Sequence, residues 1–271
     1  MTDQDFDFIR NLVRERSAIV LEDGKQYLVE SRVGPIVEEL GLGAIGGLVN
    51  LLREPSSVGL QQRVIEAMVT TETTFFRDVH PFETLRKTVI PELVRKRQGE
   101  RRLNIWCAAC STGQEPYSLA LLFRDHFADL AGWKINILAT DLSRDVLARA
   151  KAGRYNQIEV NRGLPASLLV KHFRQHGTSW QLHDDVRGMV DFEEMNLVRA
   201  WPPLPRMDLV FLRNVMIYFD VETKKSILGR MARILQPDGY MILGGAETTH
   251  NLDGSYQRVE HLKTGFYQLI G

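Results

Sequence analysis

Apolar residues recur at helical spacing through the first seventy residues of the chain. Four segments carry apolar side chains three or four positions apart, at residues 6–13, 28–40, 48–52 and 60–68. No alternating or continuous apolar run typical of a strand interrupts them. The pattern therefore predicts an all-helical N-terminal domain over residues 1–70.

From residue 103 the pattern changes to alternating strands and helices. Apolar runs typical of buried strands lie at 103–108, 134–140, 207–213 and 240–245, and amphipathic segments lie between them at 114–127, 143–153 and 220–235. We expect residues 236–239 to form a turn, and residues 261–270 have strand character. This alternation predicts an α/β fold with a doubly wound, mostly parallel sheet over residues 99–271.

Two segments do not fit either pattern. Residues 71–98 start with a threonine-rich stretch and two adjacent phenylalanines, and we interpret them as a linker and a connecting helix. Residues 155–193 are polar and glycine-containing, and they break the strand–helix rhythm, which indicates an insertion into the sheet domain.

Composition narrows the functional classes. The 34 Lys and Arg residues balance 34 Asp and Glu residues. Proteins that bind nucleic acid generally carry an excess of basic residues, so we do not expect a nucleic-acid partner. No apolar stretch reaches the roughly 18 residues of a membrane span, and the first residues do not resemble a secretion signal. Only two cysteines are present, Cys107 and Cys110, which we interpret as packing residues rather than a metal or redox site. A cytoplasmic location is expected.

A glycine pattern in the helical part is a poor candidate for a dinucleotide site. Gly41, Gly43 and Gly46 match G-x-G-x-x-G. That fingerprint requires a preceding strand and a following helix, whereas these glycines follow a helical run. We expect Gly41 to end a helix.

A stronger candidate lies between the first two predicted strands. The segment IWCAACSTGQEPYSLA passes from a strand through small residues, including Ala109, into a helix that carries Glu115. Asp141 follows at the end of the next strand, where a carboxylate accepts hydrogen bonds from both ribose hydroxyls in doubly wound folds. The alternative is that Asp141 only caps the next helix together with Ser143, and the position alone does not separate these roles.

The same loop indicates which nucleoside fits. It lacks the glycine spacing of a pyrophosphate site, and the chain has no G-K-[ST] motif for a triphosphate. The Glu115 carboxylate would repel phosphate and would favour a ligand with a cationic amino-acid portion. S-adenosylmethionine meets that description.

Six motifs, in order and spacing, resemble the chemotaxis receptor methyltransferase family called CheR. They are TETTFFRD, WCAACSTGQEPYSLA, ILATDLS, EEMNL, FLRNVMIYFD and ILQPDGYMILGGAE, and the resemblance spans nearly the whole chain. It implies a class I methyltransferase fold in which the insertion forms a small antiparallel β-subdomain.

The resemblance also implies roles for individual residues. Arg77 and Tyr218 would lie nearest the methyl acceptor. The S-adenosylmethionine site, also occupied by the product S-adenosylhomocysteine, would be formed by Thr73, Arg77, Ala109, Glu115, Asp141, Asn196, Leu197, Asn214 and Val215. Glu115 would bind the ammonium group. The family often has Asn where this chain has Thr71, and we do not assign Thr71 a contact.

The implied reaction is O-methylation of glutamate side chains on chemoreceptors. A glutamate with an ordinary pKa of about 4.3 is ionised at neutral pH, so no general base is needed. The cytoplasmic helices of receptors would be the partners, and the insertion would bind a receptor C-terminal tail in some members. Residues 1–76 hold seven basic and twelve acidic side chains, so at most a local basic patch contributes to docking.

Two rival functions remain at this point. One is an enzyme of the same fold that methylates another acceptor, such as a small acid. The other is an adaptor that docks on receptors and binds the nucleoside as a signal without turnover. The presence of both Arg77 and Tyr218 favours turnover.

Overall fold

The chain folds into two compact units. The computed structural model describes residues 1–260, 262 and 265–271. One unit comprises residues 1–70 with the segment 218–223, and the other comprises residues 71–217 and 224–271. None of the helices formed by the described residues is both long and apolar enough to cross a membrane.

Four helices make up most of the first unit between residues 3 and 68. Its helices are α1 (Asp3–Ser17), α2 (Gln26–Glu39), α3 (Ile45–Leu52) and α4 (Val58–Met68). Thr2 and Asp5 form a capping box that satisfies backbone amides at the start of α1. The apolar faces of the four helices enclose a core that includes Ile9, Val33 and Leu48. The helical prediction for this part of the chain is confirmed.

The second unit contains the sheet. Its helices are α5 (His80–Thr84), α6 (Ile90–Lys96), α7 (Gln114–His126), α8 (Arg144–Ala152), α9 (Gln157–Asn161), α10 (Ala166–His172) and α11 (Asp184–Arg187), and α12 (Val221–Ile234) begins in the segment grouped with the first unit. Its strands are β1 (Arg102–Ala108), β2 (Lys134–Asp141), β3 (Arg154–Asn156), β4 (Phe173–His176), β5 (Ser179–Leu182), β6 (Val190–Glu194), β7 (Met207–Leu212), β8 (Leu235–Leu243), β9 (Tyr256–Arg258) and β10 (Phe266–Leu269).

The large sheet has the strand order β6-β2-β1-β7-β8-β10-β9. The pairs β6–β2, β2–β1, β1–β7 and β7–β8 are parallel, and β10 runs antiparallel to both of its neighbours. This mostly parallel α/β sheet confirms the predicted fold class. The carboxyl ends of its five parallel strands meet at one edge, where doubly wound folds bind ligands.

The insertion forms a separate three-stranded antiparallel sheet in the order β3-β5-β4. The insertion was predicted to end near residue 193, but in the structure it ends before residue 190. Residues 190–194 form β6 and pair with β2 at the edge of the large sheet. Their burial alternates along the strand, as expected where one face of an edge strand meets solvent, and this polar alternation caused the misassignment.

The predicted turn at residues 236–239 lies inside β8. Met207 of β7 pairs with Leu235, and Leu209 pairs with Tyr240, so four residues of β8 oppose a single residue of β7. The polar segment is accommodated as a bulge-like irregularity rather than as a turn before the strand. In the last predicted strand, β10 covers residues 266–269, and His261, Lys263 and Thr264 lie outside the described residues.

A buried ion cluster anchors the connecting helix to the sheet. Arg97 donates from Nε to Asp208 at 2.7 Å and from Nη2 to Asp238 at 2.6 Å. Asp208 is buried and also accepts from the backbone amide of Asn104 at 2.8 Å. Burial raises the pKa of the Asp208 carboxyl, whereas the hydrogen bond from Arg97 lowers that of Asp238.

Replacing Arg97 with Met should lower the free energy of unfolding by about 3–5 kcal/mol, because it leaves the Asp208 carboxylate buried without its cation. Urea denaturation followed by circular dichroism measures this change. Arg95→Met is the matched control, since Arg95 is exposed and lies two residues earlier on the same helix, and it should change stability by about 0.5 kcal/mol or less. Equal midpoints for the two variants would contradict the anchoring role.

Candidate active site

The loop after β1 has an unusual backbone conformation. Ala109, Ser111 and Gly113 all have positive φ, at 56°, 51° and 92°. A Cβ atom on Gly113 would lie only 3.0 Å from the Cβ of Ala150, so this position requires glycine. The loop turns sharply at the carboxyl end of β1 and leads directly into α7.

Asp141 joins this loop to the neighbouring strand. Its Oδ2 accepts from the backbone amide of Ser111 at 2.8 Å, and its Oδ1 accepts from that of Ser143 at 3.1 Å. Ser143 in turn caps α8 by accepting from Val146. The alternative role of Asp141, in which it stabilises the start of α8 together with Ser143, is therefore supported by a contact to Ser143. A carboxylate has about four acceptor positions, so this contact and a ribose contact are compatible.

Glu115 lies in the first turn of α7 and is paired with a buried arginine. Arg213, directly after β7, donates from Nη1 to Glu115 Oε2 at 2.8 Å, and the Arg213 side chain is 2% exposed. Burial raises the pKa of the Glu115 carboxyl, against the opposing effect of Arg213. An additional cation at this carboxylate would favour its charged form.

Arg213 also binds the connector, which we define as residues 71–78. Its Nη2 donates to Asp78 Oδ2 at 2.6 Å and to the carbonyl oxygen of Arg77 at 3.1 Å. One guanidinium therefore links the end of β7, the start of α7 and the connector.

Further hydrogen bonds hold the connector against the β1 loop and α7. The Ser111 hydroxyl donates to the carbonyl oxygen of Thr71 at 2.7 Å. The backbone amide of Phe76 donates to the hydroxyl of Ser118 at 2.9 Å. Thr71 thus reaches the predicted cofactor loop through its backbone, and this contact does not depend on its side chain.

The two connector phenylalanines pack as the sequence requires. Phe75 is fully buried and meets Tyr155 and Phe173 edge to face, with ring centroids 5.0 and 5.9 Å apart. A Cβ atom on Gly163 would overlap the carbonyl oxygen of Phe75. The insertion backbone therefore lies directly against the connector at a position that only glycine fits.

A buried carboxylate organises the loop after β7. Glu247 Oε2 accepts from the backbone amides of Asn214 and Gly244, each at 2.7 Å. Its Oε1 accepts from those of Val215 and Met216 at 2.9 and 2.8 Å. Asn214 has a φ of 57°, and its buried Oδ1 has no hydrogen-bond partner. Glu247 thus holds this loop through three amides and the residue after β8 through a fourth, and one side-chain acceptor is available to a ligand.

The loop after β6 carries Asn196 and Leu197. The amide of Met195 donates to the carbonyl oxygen of Asp141 at 2.9 Å, which brings this loop to the end of β2. The Leu197 carbonyl accepts from the Trp201 indole at 3.2 Å and from Arg230, whose guanidinium lies 4.3 Å from the centre of the Trp201 ring. The two residues predicted to frame an adenine therefore lie in a braced loop at the same sheet edge.

The structure brings most of the predicted site residues to this edge. Ala109, Glu115, Asp141, Asn196, Leu197, Asn214 and Val215 follow the carboxyl ends of neighbouring strands, and Thr73 and Arg77 belong to the connector. Tyr218 is grouped with the helical unit, where its carbonyl accepts from the amide of Val20 at 2.9 Å. Its role at the acceptor stays a prediction.

Two residues of this site were not identified from the sequence. Arg213 directly follows the apolar strand β7, and Glu247 lies four residues after β8. A charged residue just after an apolar strand is the sequence feature that could have indicated them. Their partners are distant in sequence, so spacing alone does not indicate their contacts. Cys107 and Cys110 are buried free thiols, and the described residues contain no cluster suited to a metal ion.

Comparison with known proteins gives consistent matches over both units. Residues 71–264 match the family described as CheR methyltransferase, SAM binding domain, and residues 4–69 match the CheR methyltransferase, all-alpha domain. Chemotaxis protein methyltransferase 1 of Pseudomonas aeruginosa is 42% identical over 261 residues, which cover 94% of each chain. Chemotaxis protein methyltransferase Cher2 of Pseudomonas putida is 40% identical over 94% of each chain. The chemotaxis protein methyltransferase of Escherichia coli is 34% identical over 93% of this chain and 87% of its own.

Replacing Glu247 with Gln exchanges one acceptor oxygen for an amide donor, which leaves two backbone amides of the site without an acceptor. We expect the affinity for S-adenosylhomocysteine to fall about tenfold or more, because the loop carrying Asn214 and Val215 loses its support. Isothermal titration calorimetry measures the change. Glu100→Gln, at an exposed turn, is the control and should bind as the unmodified protein does. Unchanged affinity in Glu247→Gln would exclude the supporting role.

Proposed function

The chain belongs to the CheR methyltransferase family, and from this premise we propose that it methylates glutamate side chains of chemoreceptors, giving glutamyl methyl esters. S-adenosylmethionine is its cofactor. The observation that carries the proposal is the meeting of the Glu115 carboxylate and the connector at the buried Arg213 guanidinium. We infer that this arrangement forms a site for a cationic ligand beside the segment that carries Arg77.

We propose that the sheet edge holds the cofactor as follows. Glu115 binds the ammonium group, and Asp141 accepts from the ribose hydroxyls. Adenine lies against Asn196 and Leu197, and the loop of Asn214 and Val215 forms the floor of the site. Thr73, Arg77 and Ala109 complete the cofactor contacts. The buried, unpartnered Oδ1 of Asn214 and the raised pKa of Glu115 support this fit, since both groups gain a favourable partner when a cationic ligand with donor groups binds.

The bound cofactor supplies an electrophilic methyl group. The accepting glutamate is ionised at neutral pH, so the chain needs to hold and orient one carboxylate oxygen rather than remove a proton. Arg77 is suited to this role, because a guanidinium binds a carboxylate with two parallel hydrogen bonds. Among the described residues, its guanidinium contacts the carbonyl oxygen of Glu72 at 3.3 Å and no carboxylate. Tyr218 would donate a hydrogen bond to the other acceptor oxygen.

The proposal assigns the remaining parts of the chain to substrate binding and enclosure. Residues 1–70 form the domain that meets the cytoplasmic helices of receptors. Residues 71–98 are the linker and connecting helix, and residues 99–271 form the S-adenosylmethionine-binding domain. The small sheet of β3, β5 and β4 has exposed edges that would accept a receptor tail as an added strand. The reaction would take place in the cytoplasm.

Methyl transfer to receptor-containing membranes tests the proposed reaction. With tritiated S-adenosylmethionine, we expect label in the receptor fraction that mild base releases as volatile methanol, because esters hydrolyse and N-methyl groups do not. Membranes without chemoreceptors are the control and should stay unlabelled. Base-stable label, or label that does not depend on receptors, would contradict the ester assignment.

Replacing Arg77 with Ala should lower kcat at saturating cofactor by about 100-fold, because the acceptor carboxylate loses its orienting group. Arg77→Lys should retain part of the rate, since it keeps the charge and loses the paired geometry. Arg86→Ala removes a partly buried ion pair with Glu83 of α5 and is the control. A fully active Arg77→Ala protein would remove Arg77 from the mechanism.

A further inference from the structure

A cavity lies beside Arg213, on the side of the sheet edge away from Asp141. The cavity has a volume of about 450 Å³, and Asp78, Arg213, Glu247, Arg258 and Tyr267 are among the residues that line it. The residues that follow β8 also form part of its wall. The cavity therefore opens at the carboxyl ends of β7 and β8 and continues toward β9 and β10.

The charged side chains that line this cavity differ in whether they have a hydrogen-bond or ion-pair partner. The Asp78 carboxylate is paired with Arg213, and the Glu247 carboxylate accepts from four backbone amides. The guanidinium of Arg258 has no ion-pair or hydrogen-bond partner among the residues that the structure describes. Among the described lining residues, Arg258 is thus the cation whose side chain has no partner.

A tyrosine side chain lines the same cavity. Arg258 of β9 is directly opposite Tyr267 of β10 in the antiparallel ladder, so the two side chains project from the same face of the sheet. Arg258 is exposed, whereas Tyr267 is 5% exposed. Within the described part of the chain, the Tyr267 hydroxyl also lacks a hydrogen-bond partner. Together they offer a guanidinium and a phenol as donors, a combination suited to a carboxylate.

The position of this pair in the sheet separates it from the proposed cofactor residues. Ala109, Asp141 and Asn196 follow β1, β2 and β6, which form one half of the sheet edge. Arg258 and Tyr267 belong to β9 and β10 in the opposite half, and Arg213 lies between the two halves. A substrate that approaches the methyl group from the open half would therefore pass along this cavity.

We propose that Arg258 and Tyr267 bind a second carboxylate of the substrate, carried by an acidic side chain on the same receptor segment as the accepting glutamate. This inference rests on the proposed function. Arg77 would hold the carboxylate that is methylated, and Arg258 would select segments with a neighbouring acidic residue. Arg258 is a specificity residue in this assignment and takes no part in methyl transfer itself.

The test uses the full-length protein and a purified cytoplasmic fragment of a chemoreceptor that it methylates. Arg258→Gln should raise the KM for this fragment about tenfold, while kcat and the affinity for S-adenosylhomocysteine stay within about twofold. Tyr267→Phe should raise the KM less, because it removes a neutral donor. Arg233→Gln, which removes an exposed arginine from α12, is the matched control and should leave all three quantities unchanged.

A second substrate makes the assignment specific. Acidic residues within one helical turn of the methylated glutamate are replaced by their amides in the receptor fragment. This substrate should show the raised KM with the unmodified enzyme and no further increase with Arg258→Gln. An unchanged KM in Arg258→Gln, or the same relative increase on both substrates, would overturn the inference. If the unmodified enzyme fails to form base-labile label, the proposed function fails instead, and the two outcomes are distinct.

Discussion

A single buried guanidinium holds the candidate active site together. Arg213 is nearly inaccessible to solvent and is bound by the carboxylates of Glu115 and Asp78 and by the carbonyl oxygen of Arg77. A buried charge of this kind is tolerated only when its partners are held in good geometry, and removal of one partner leaves the others uncompensated. The end of β7, the first turn of α7 and the connector are therefore fixed by one shared polar network rather than by three independent contacts.

Periodicity in the sequence predicted the helical unit, the parallel sheet and the helices between its strands, because apolar spacing depends only on local geometry. Glu115 and Asp141 were candidates because of their positions relative to the strands, and both lie at the predicted sheet edge, while their cofactor contacts stay predictions. Arg213 and Glu247 were missed because their partners are brought close only by the tertiary fold. The bulge in β8 was missed for a related reason, since its polar residues resemble a turn unless the pairing with β7 is known.

The sheet edge divides into halves of opposite electrostatic character. Glu115 and Asp141 give the half formed by β1 and β2 an acidic lining, whereas Arg258 on β9 gives the other half a positive charge. In the proposed assignment, the cationic cofactor lies on the side of Glu115 and Asp141, and the substrate carboxylate lies on the side of Arg258. Arg213 and Glu247 lie between these two sides, where Arg213 is paired with two carboxylates and Glu247 accepts from four backbone amides.

The contact between Gly163 and the carbonyl oxygen of Phe75 also constrains how such a chain changes through descent. The turn of the small sheet at Gly177 is exposed, whereas the insertion meets the connector at Gly163, where no side chain fits. An insertion grafted from another protein would have to supply a residue without a Cβ atom at this seam. In the proposed assignment, changes in receptor preference would arise at the outer strands rather than at this seam.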